Sequence, residues 1–172
     1  TDGKYFGGSL DDLTIARAVS DFPLLRKEFI IDEYQIIEAK AFGADAILLI
    51  AAILSPQEIL SFSKTAKSLG LDVLLEVHNL NELEKSIMSS IDLIGVNNRN
   101  LKTFKVSLET SRSLADKIPA EFVKVSESGI SEVTSIKKLK AIGYQGFLVG
   151  ENFMKTGNPG LAAKNFINQL EV

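Results

Sequence analysis

Cysteine is absent from the 172 residues, and histidine occurs once, at His78. The first absence excludes disulfides and thiolate metal sites, and the second leaves no ligand set for a zinc cluster, so no metal is expected. No apolar run approaches the ~20 residues a membrane helix needs, and no charged-then-apolar segment of the secretory type opens the chain. A basic run interleaved with aromatics is also missing, and the net charge of −3 argues against nucleic acid as the main partner. There is no linker, low-complexity stretch or charge block. These features describe a cytoplasmic chain forming one domain over residues 1–172, without a membrane partner. Its start at Thr1 rather than methionine raises the expectation of further chain upstream.

What is present is a repeated grammar. An apolar fraction of 45% with 24% charged residues suits a packed globular core. Short apolar runs end at Lys27, Ile50, Val77, Asn97, Ser126 and Val149, and helical patterns separate them. Ser9, Asp32, Ser55, Asn79, Ser131 and Asn158 stand where N-caps are needed; Asp12 and Glu58 complete capping boxes, and Pro56 and Pro159 suit first helical turns. Gly43 and Gly70 are helix stops. The expected helices run from Ser9 to Val19, from Asp32 with Tyr34, Ile37 and Ala41 as its apolar positions, from Ser55 to Gly70, from Leu80 to about Ser89, from Ser107 to Lys117, from Ser131 to before Gly143, and from Asn158 to the chain's end.

Six strands alternating with helices imply an α/β fold with a parallel sheet covered by helices. An open doubly wound sheet and part of a closed eight-stranded barrel both satisfy that pattern. A complete barrel takes ~250 residues, about two βα units more than are present. However, no G-x-G-x-x-G or Walker pattern follows any strand. Residues capable of acid, base or hydrogen-bonding chemistry instead end several strands, as on the C-terminal rim of a barrel. Lys27 is the first of these: a buried strand has no use for a cation inside its apolar run, so the lysine belongs where the strand leaves the core. Glycines cluster after the last two strands, in Ser126-Glu127-Ser128-Gly129-Ile130 and Gly150-Glu151-Asn152, where backbone N–H groups can approach an anion. That placement points to a phosphate-bearing small-molecule substrate.

Five blocks then carry a more specific likeness: Leu25-Arg26-Lys27-Glu28-Phe29-Ile30-Ile31-Asp32, Glu76-Val77-His78, Gly95-Val96-Asn97-Asn98-Arg99-Asn100-Leu101-Lys102-Thr103-Phe104, Ser126-Glu127-Ser128-Gly129-Ile130 and Phe147-Leu148-Val149-Gly150-Glu151. Together, in this order, they resemble the indole-3-glycerol-phosphate synthase family, the ring-closing enzymes of tryptophan biosynthesis. The resemblance implies a (β/α)8 TIM barrel of which this chain supplies approximately strands three to eight. It implies a carboxy-lyase reaction without metal or organic cofactor: 1-(2-carboxyphenylamino)-1-deoxyribulose 5-phosphate closes to indole-3-glycerol phosphate, carbon dioxide and water.

By the same resemblance Lys27 is the general acid, Glu76 the catalytic carboxylate and Asn97 the residue that orients them. Arg99, Glu127 and Ser128 contact substrate, Phe6, Phe29 and Leu48 wall the anthranilate ring, and Gly129, Gly150 and the Glu151 amide hold phosphate. A carboxylate at 151 would repel phosphate, so its side chain is expected to point away. His78, a lone histidine just after a strand, reads as structural. The family's further lysine and glutamate on strand one, its N-terminal helical segment and a serine after strand two have no counterparts here, so loss of activity in the fragment alone is one expectation; a second is that the chain, folded alone, is associated with another copy through exposed strand edges and apolar surface. The alternatives are a noncatalytic phosphate-binding or barrel-completing piece, or another phosphate-binding barrel such as a phosphoribosyl isomerase or pentose-phosphate epimerase.

Overall fold

Two neighbouring apolar runs anchor the first part of the fold, because both of their faces are buried. In the computed structural model, which describes residues 1–4 and 7–170, Ala46–Ile50 forms β2 and Asp72–Val77 forms β3. Ile47, Leu49, Val73, Leu75 and Val77 have no exposed surface, and Leu48 is buried beside them. Burial on both sides is the signature of a parallel sheet covered by helices, and it explains why these strands are continuously apolar rather than alternating.

The chain divides into two compact units, Thr1–Ile94 and Gly95–Val172. The first contains α1 (Leu10–Val19), β1 (Leu25–Arg26), α2 (Glu33–Ala41), β2, α3 (Pro56–Ser68), β3, α4 (Leu80–Ser86) and the opening residues of β4 (Leu93–Asn97). β2 runs parallel to β1 and β3, with Ile47 opposite both Arg26 and Val73 and Ile50 opposite Glu76. The second contains the end of β4, α5 (Glu109–Leu114), β5 (Val123–Glu127), α6 (Val133–Lys140), β6 (Gly146–Leu148), α7 (Glu151–Met154) and α8 (Pro159–Asn168). β5 and β6 are parallel, with Glu127 opposite Leu148. Strand order follows sequence order, as successive βα units require.

Local chemistry sets the helix ends. The Asp12 carboxylate accepts from Ser9 N at 2.7 Å, and Glu58 accepts from Ser55 N at 2.7 Å while Ser55 Oγ accepts from Glu58 N. Asp32 and Asn79 cap α2 and α4, and Gly43 ends the α2 turn at φ 92°, a left-handed conformation that glycine enters without Cβ strain. Four expectations are corrected. In α2 the buried stripe is Ile36 and Ala39, whereas Tyr34 and Ile37 are exposed; the helix carries apolar residues on two stripes, and the packing of the crossover selects one. α4 and α5 are shorter than their periodicity suggested. Helix α6 starts at Val133 with Glu132 at its N-cap, not Ser131. An additional short helix, α7, follows β6 directly.

Among the described residues no helix is long and apolar enough to cross a membrane. In the first unit Val19, Phe22, Ile31 and Tyr34 are apolar and exposed.

In the second unit the buried ring of Tyr144 donates its hydroxyl to the Ser111 carbonyl at 2.7 Å. Burial pushes its ionisation up to about 12. A phenol in the unfolded chain ionises near ~10. The folded pKa is the higher one, so this contribution is complete below pH ~10 and is lost between pH ~10 and about 12. Its size is roughly 2 to 3 kcal/mol. Urea midpoints of the wild type and Tyr144→Phe, measured across that window, should converge as pH rises; a constant gap would contradict the assignment.

Candidate active site

The run Leu24-Leu25-Arg26 pairs with β2 and ends after only two strand residues, so Lys27 leaves the sheet at the carboxyl end of β1. Arg26 turns the other way. It is buried and donates to the Gln35 carbonyl at 2.5 Å and to Glu38 Oε2 at 2.7 Å, which ties β1 to α2. The cation that a strand interior would exclude is thus accommodated by α2, and the adjacent cation is released toward the strand ends.

Lys27 Nζ lies 3.2 Å from Glu76 Oε2. Glu76 closes β3 and is 2% exposed, whereas about half of the lysine side chain remains in solvent. The other Glu76 oxygen, Oε1, is 3.3 Å from His78 Nε2. His78 Nδ1 is 3.2 Å from Glu82 Oε2, and the same oxygen accepts from His78 N at 2.8 Å. Glu82 also accepts from Asn79 Nδ2. Burial works to raise the Glu82 pKa; the side-chain and backbone hydrogen bonds from His78, its charge and the Asn79 amide outweigh burial and leave it below the ordinary carboxylate range. His78, set aside on sequence, is therefore the middle of a four-residue line from Lys27 to Glu82. The only textual signal for it was the i, i+4 spacing of His78 and Glu82 across a helix start.

In the second unit Asn97 ends β4, is mostly buried, and accepts from Arg99 N at 3.0 Å through Oδ1. Its neighbour Asn98 is a buried hub. Its amide nitrogen donates to Ser126 Oγ, the Glu127 carbonyl and the Ser128 carbonyl at 3.0, 3.0 and 3.2 Å. Its oxygen accepts from Ser111 N and Ser111 Oγ, and Ser111 Oγ meets Ser126 Oγ at 2.8 Å. Five hydrogen bonds of one side chain thereby bind the end of β4, the start of α5 and the turn after β5.

That turn is the first of the two glycine clusters. Ser128 and Gly129 both have left-handed backbones, at φ 66° and 73°, and a Cβ at position 129 would stand 2.3 Å from Val106 Cγ1. Glycine at 129 is demanded twice over, by conformation and by space. Gly150 differs: its φ of −120° suits any residue, and nothing lies within 4 Å of where a Cβ would be. The space over this backbone is open. Arg99 donates to Glu151 Oε2 at 2.6 Å, so the carboxylate that would repel a phosphate is paired with a guanidinium.

Glu127 is buried at the end of β5. Leu48 is core, whereas Phe29 is 40% exposed and is not part of the core. Phe6 lies outside the described residues. Among the described residues no group of three or more His, Cys, Asp or Glu side chains is arranged to hold a metal ion.

Comparison with known proteins places the chain in a family. The family model described as indole-3-glycerol phosphate synthase matches residues 1–166. The enzyme of that name from Bacteroides thetaiotaomicron is 51% identical over 99% of this chain and 65% of its own length. Those of Variovorax paradoxus and Verminephrobacter eiseniae are 46% and 48% identical over 94% of this chain and 61% of theirs. The chain thus spans somewhat under two thirds of the length of the relatives it matches. Among solved structures it resembles KGPDC from Streptococcus mutans, with TM-score 0.72 at 13% identity over 96% of this chain and 79% of that one. A tryptophan synthase α-subunit from Pyrococcus furiosus gives TM-score 0.72 at 18% identity over 94% and 71%. At such identities the likeness concerns the fold alone, and it assigns the six parallel βα units to the (β/α)8 barrel class.

Proposed function

Because this chain belongs to the indole-3-glycerol phosphate synthase family, we propose that it carries the acid–base and phosphate-holding parts of a decarboxylating ring closure in the cytoplasm. The substrate is 1-(2-carboxyphenylamino)-1-deoxyribulose 5-phosphate. The reaction joins the carboxylate-bearing ring carbon to the sugar ketone carbon and releases carbon dioxide and water. It needs a proton donor at the ketone oxygen, a base to restore aromaticity and an anchor for the phosphate.

The observation that carries this reading is the ammonium of Lys27 set on the buried carboxylate of Glu76. A half-exposed ammonium can reach a substrate and give its proton to a developing alkoxide, while the buried carboxylate holds it in place and takes a proton from the ring. In the second unit Asn97 serves as the orienting amide, and Arg99, Glu127 and Ser128 as substrate contacts. The left-handed Ser128-Gly129 turn and the open backbone at Gly150-Glu151 suit a phosphate dianion. Arg99 neutralises Glu151 there, which leaves the amide free to donate. Phe29, which is partly exposed, supplies apolar surface for the aromatic ring, and Leu48 packs beneath the site as core.

The test is formation of product, followed by indole fluorescence, with the 172-residue chain and with a version extended at its N terminus to the length of its relatives. Fluorescent product from either supports the reading. Two folded proteins that make none overturn it.

A further inference from the structure

The histidine that sequence reasoning assigned to structure sits between two carboxylates. Nε2 faces Glu76 Oε1 at 3.3 Å and Nδ1 faces Glu82 Oε2 at 3.2 Å. The ring is largely enclosed, with 11% of its side chain exposed. A neutral imidazole carries one N–H and one lone pair. Either neutral tautomer would therefore turn a lone pair toward a carboxylate oxygen in a site that water screens poorly. With a proton on both nitrogens, Nδ1–H meets Glu82, the positive ring edge lies at ion-pair distance from Glu76, and the clash disappears. Two carboxylates lie against the ring, Glu76 near the end of β3 and Glu82 on α4, with Lys27 beyond Glu76 on its other oxygen. The imidazolium and the Lys27 ammonium then offset the charges of Glu76 and Glu82.

We propose that His78 is an imidazolium clamp, a positioning residue that holds Glu76 ionised and turned so that its second oxygen receives Lys27. Its backbone N–H and ring both bind one Glu82 oxygen, so α4 fixes the ring and the ring fixes the carboxylate. That the fixed carboxylate serves ring closure rests on the function proposed above; the state of the ring does not.

Because His78 is the only histidine in the chain, its two ring nitrogens can be followed by ¹⁵N NMR without assignment ambiguity. The titration, run without substrate from about pH 5 to about pH 9, spans the range where imidazole ordinarily changes charge. The expected result is two protonated nitrogens at neutral pH, a midpoint above the ~6.5 of free imidazole, and a fall of about one unit or more in Glu82→Gln. Glutamine keeps an oxygen for the His78 N–H, so this variant tests charge rather than the helix cap, and its amide spectrum reports that it is folded. A single neutral tautomer at neutral pH, or a midpoint unmoved by Glu82→Gln, overturns the clamp. A chain that fails to form indole product while showing the doubly protonated ring leaves the clamp standing and counts against the proposed function alone.

Discussion

Conversion of the carboxyphenylamino deoxyribulose phosphate falls by ~10²-fold or more when Lys27 is replaced by methionine, the scale on which a positioned proton donor contributes. Methionine keeps the straight apolar stem and deletes only the ammonium that lies 3.2 Å from Glu76 Oε2. The loss should appear in kcat, because the phosphate anchor is assigned to the turns at Ser128-Gly129 and Gly150-Glu151, which the substitution leaves alone. Single-turnover fluorescence in whichever length of protein is active provides the measurement, with the urea midpoint confirming that the variant is folded. Undiminished kcat in a folded Lys27→Met protein would remove Lys27 from the reaction, and with it the observation on which the proposed function rests.

Asn98→Ala should cost ~3 to 5 kcal/mol of stability. One amide makes four buried hydrogen-bond contacts here, to Ser126, Glu127 and twice to Ser111, and a part-buried one to Ser128, its two N–H groups being shared among three acceptors. Each contributes ~1 kcal/mol net when made, and more is lost when its partner is left buried without one. The Ser111 N–H and the Ser128 carbonyl are the groups exposed to that penalty, whereas the Glu127 carbonyl keeps the bond from the Asn98 backbone N–H. Asn98→Asp is the sharper test: a carboxylate retains the acceptor for Ser111 but faces three acceptor oxygens with no N–H to offer, and it buries a charge. It should destabilise at least as much as alanine at neutral pH. Chemical denaturation of the two variants decides the matter, and a loss below ~1 kcal/mol in both would show that the hub is dispensable. Since Asn98 grips the Glu127 and Ser128 carbonyls, destabilisation should loosen the left-handed turn before the rest of the unit, with inorganic phosphate affinity falling first.

Several parts of this arrangement were legible in the sequence because they are local. Capping pairs three residues apart, such as Ser55 with Glu58, act within one helical turn and need no distant partner. Continuous apolar runs such as Ile47–Ile50 announce burial on both faces, and Lys27 at the close of a run could only belong to a strand end. Gly129 was picked out by its cluster, although the reason for it, a left-handed backbone against Val106, was not visible. The misreading of α2 has a local cause. α2 offers two apolar stripes of similar quality, and nothing local tells Ile36 and Ala39 from Tyr34 and Ile37.

Residue types and their order along the chain determined the alternation of six strands with helices, the strand-end placement of Lys27, Glu76 and Asn97, and the family. Those properties follow from periodicities of a few residues and from blocks that can be read in a line. Only the tertiary structure decided that Arg26 is locked into α2 while Lys27 meets Glu76, 49 positions away. It also decided that Asn98 ties together segments 13 to 30 residues distant, and that His78 stands between two carboxylates. A hydrogen bond or an ion pair depends on an approach of about 3 Å between atoms, and that distance is fixed by how strands and helices pack, not by how far apart their residues lie in the chain.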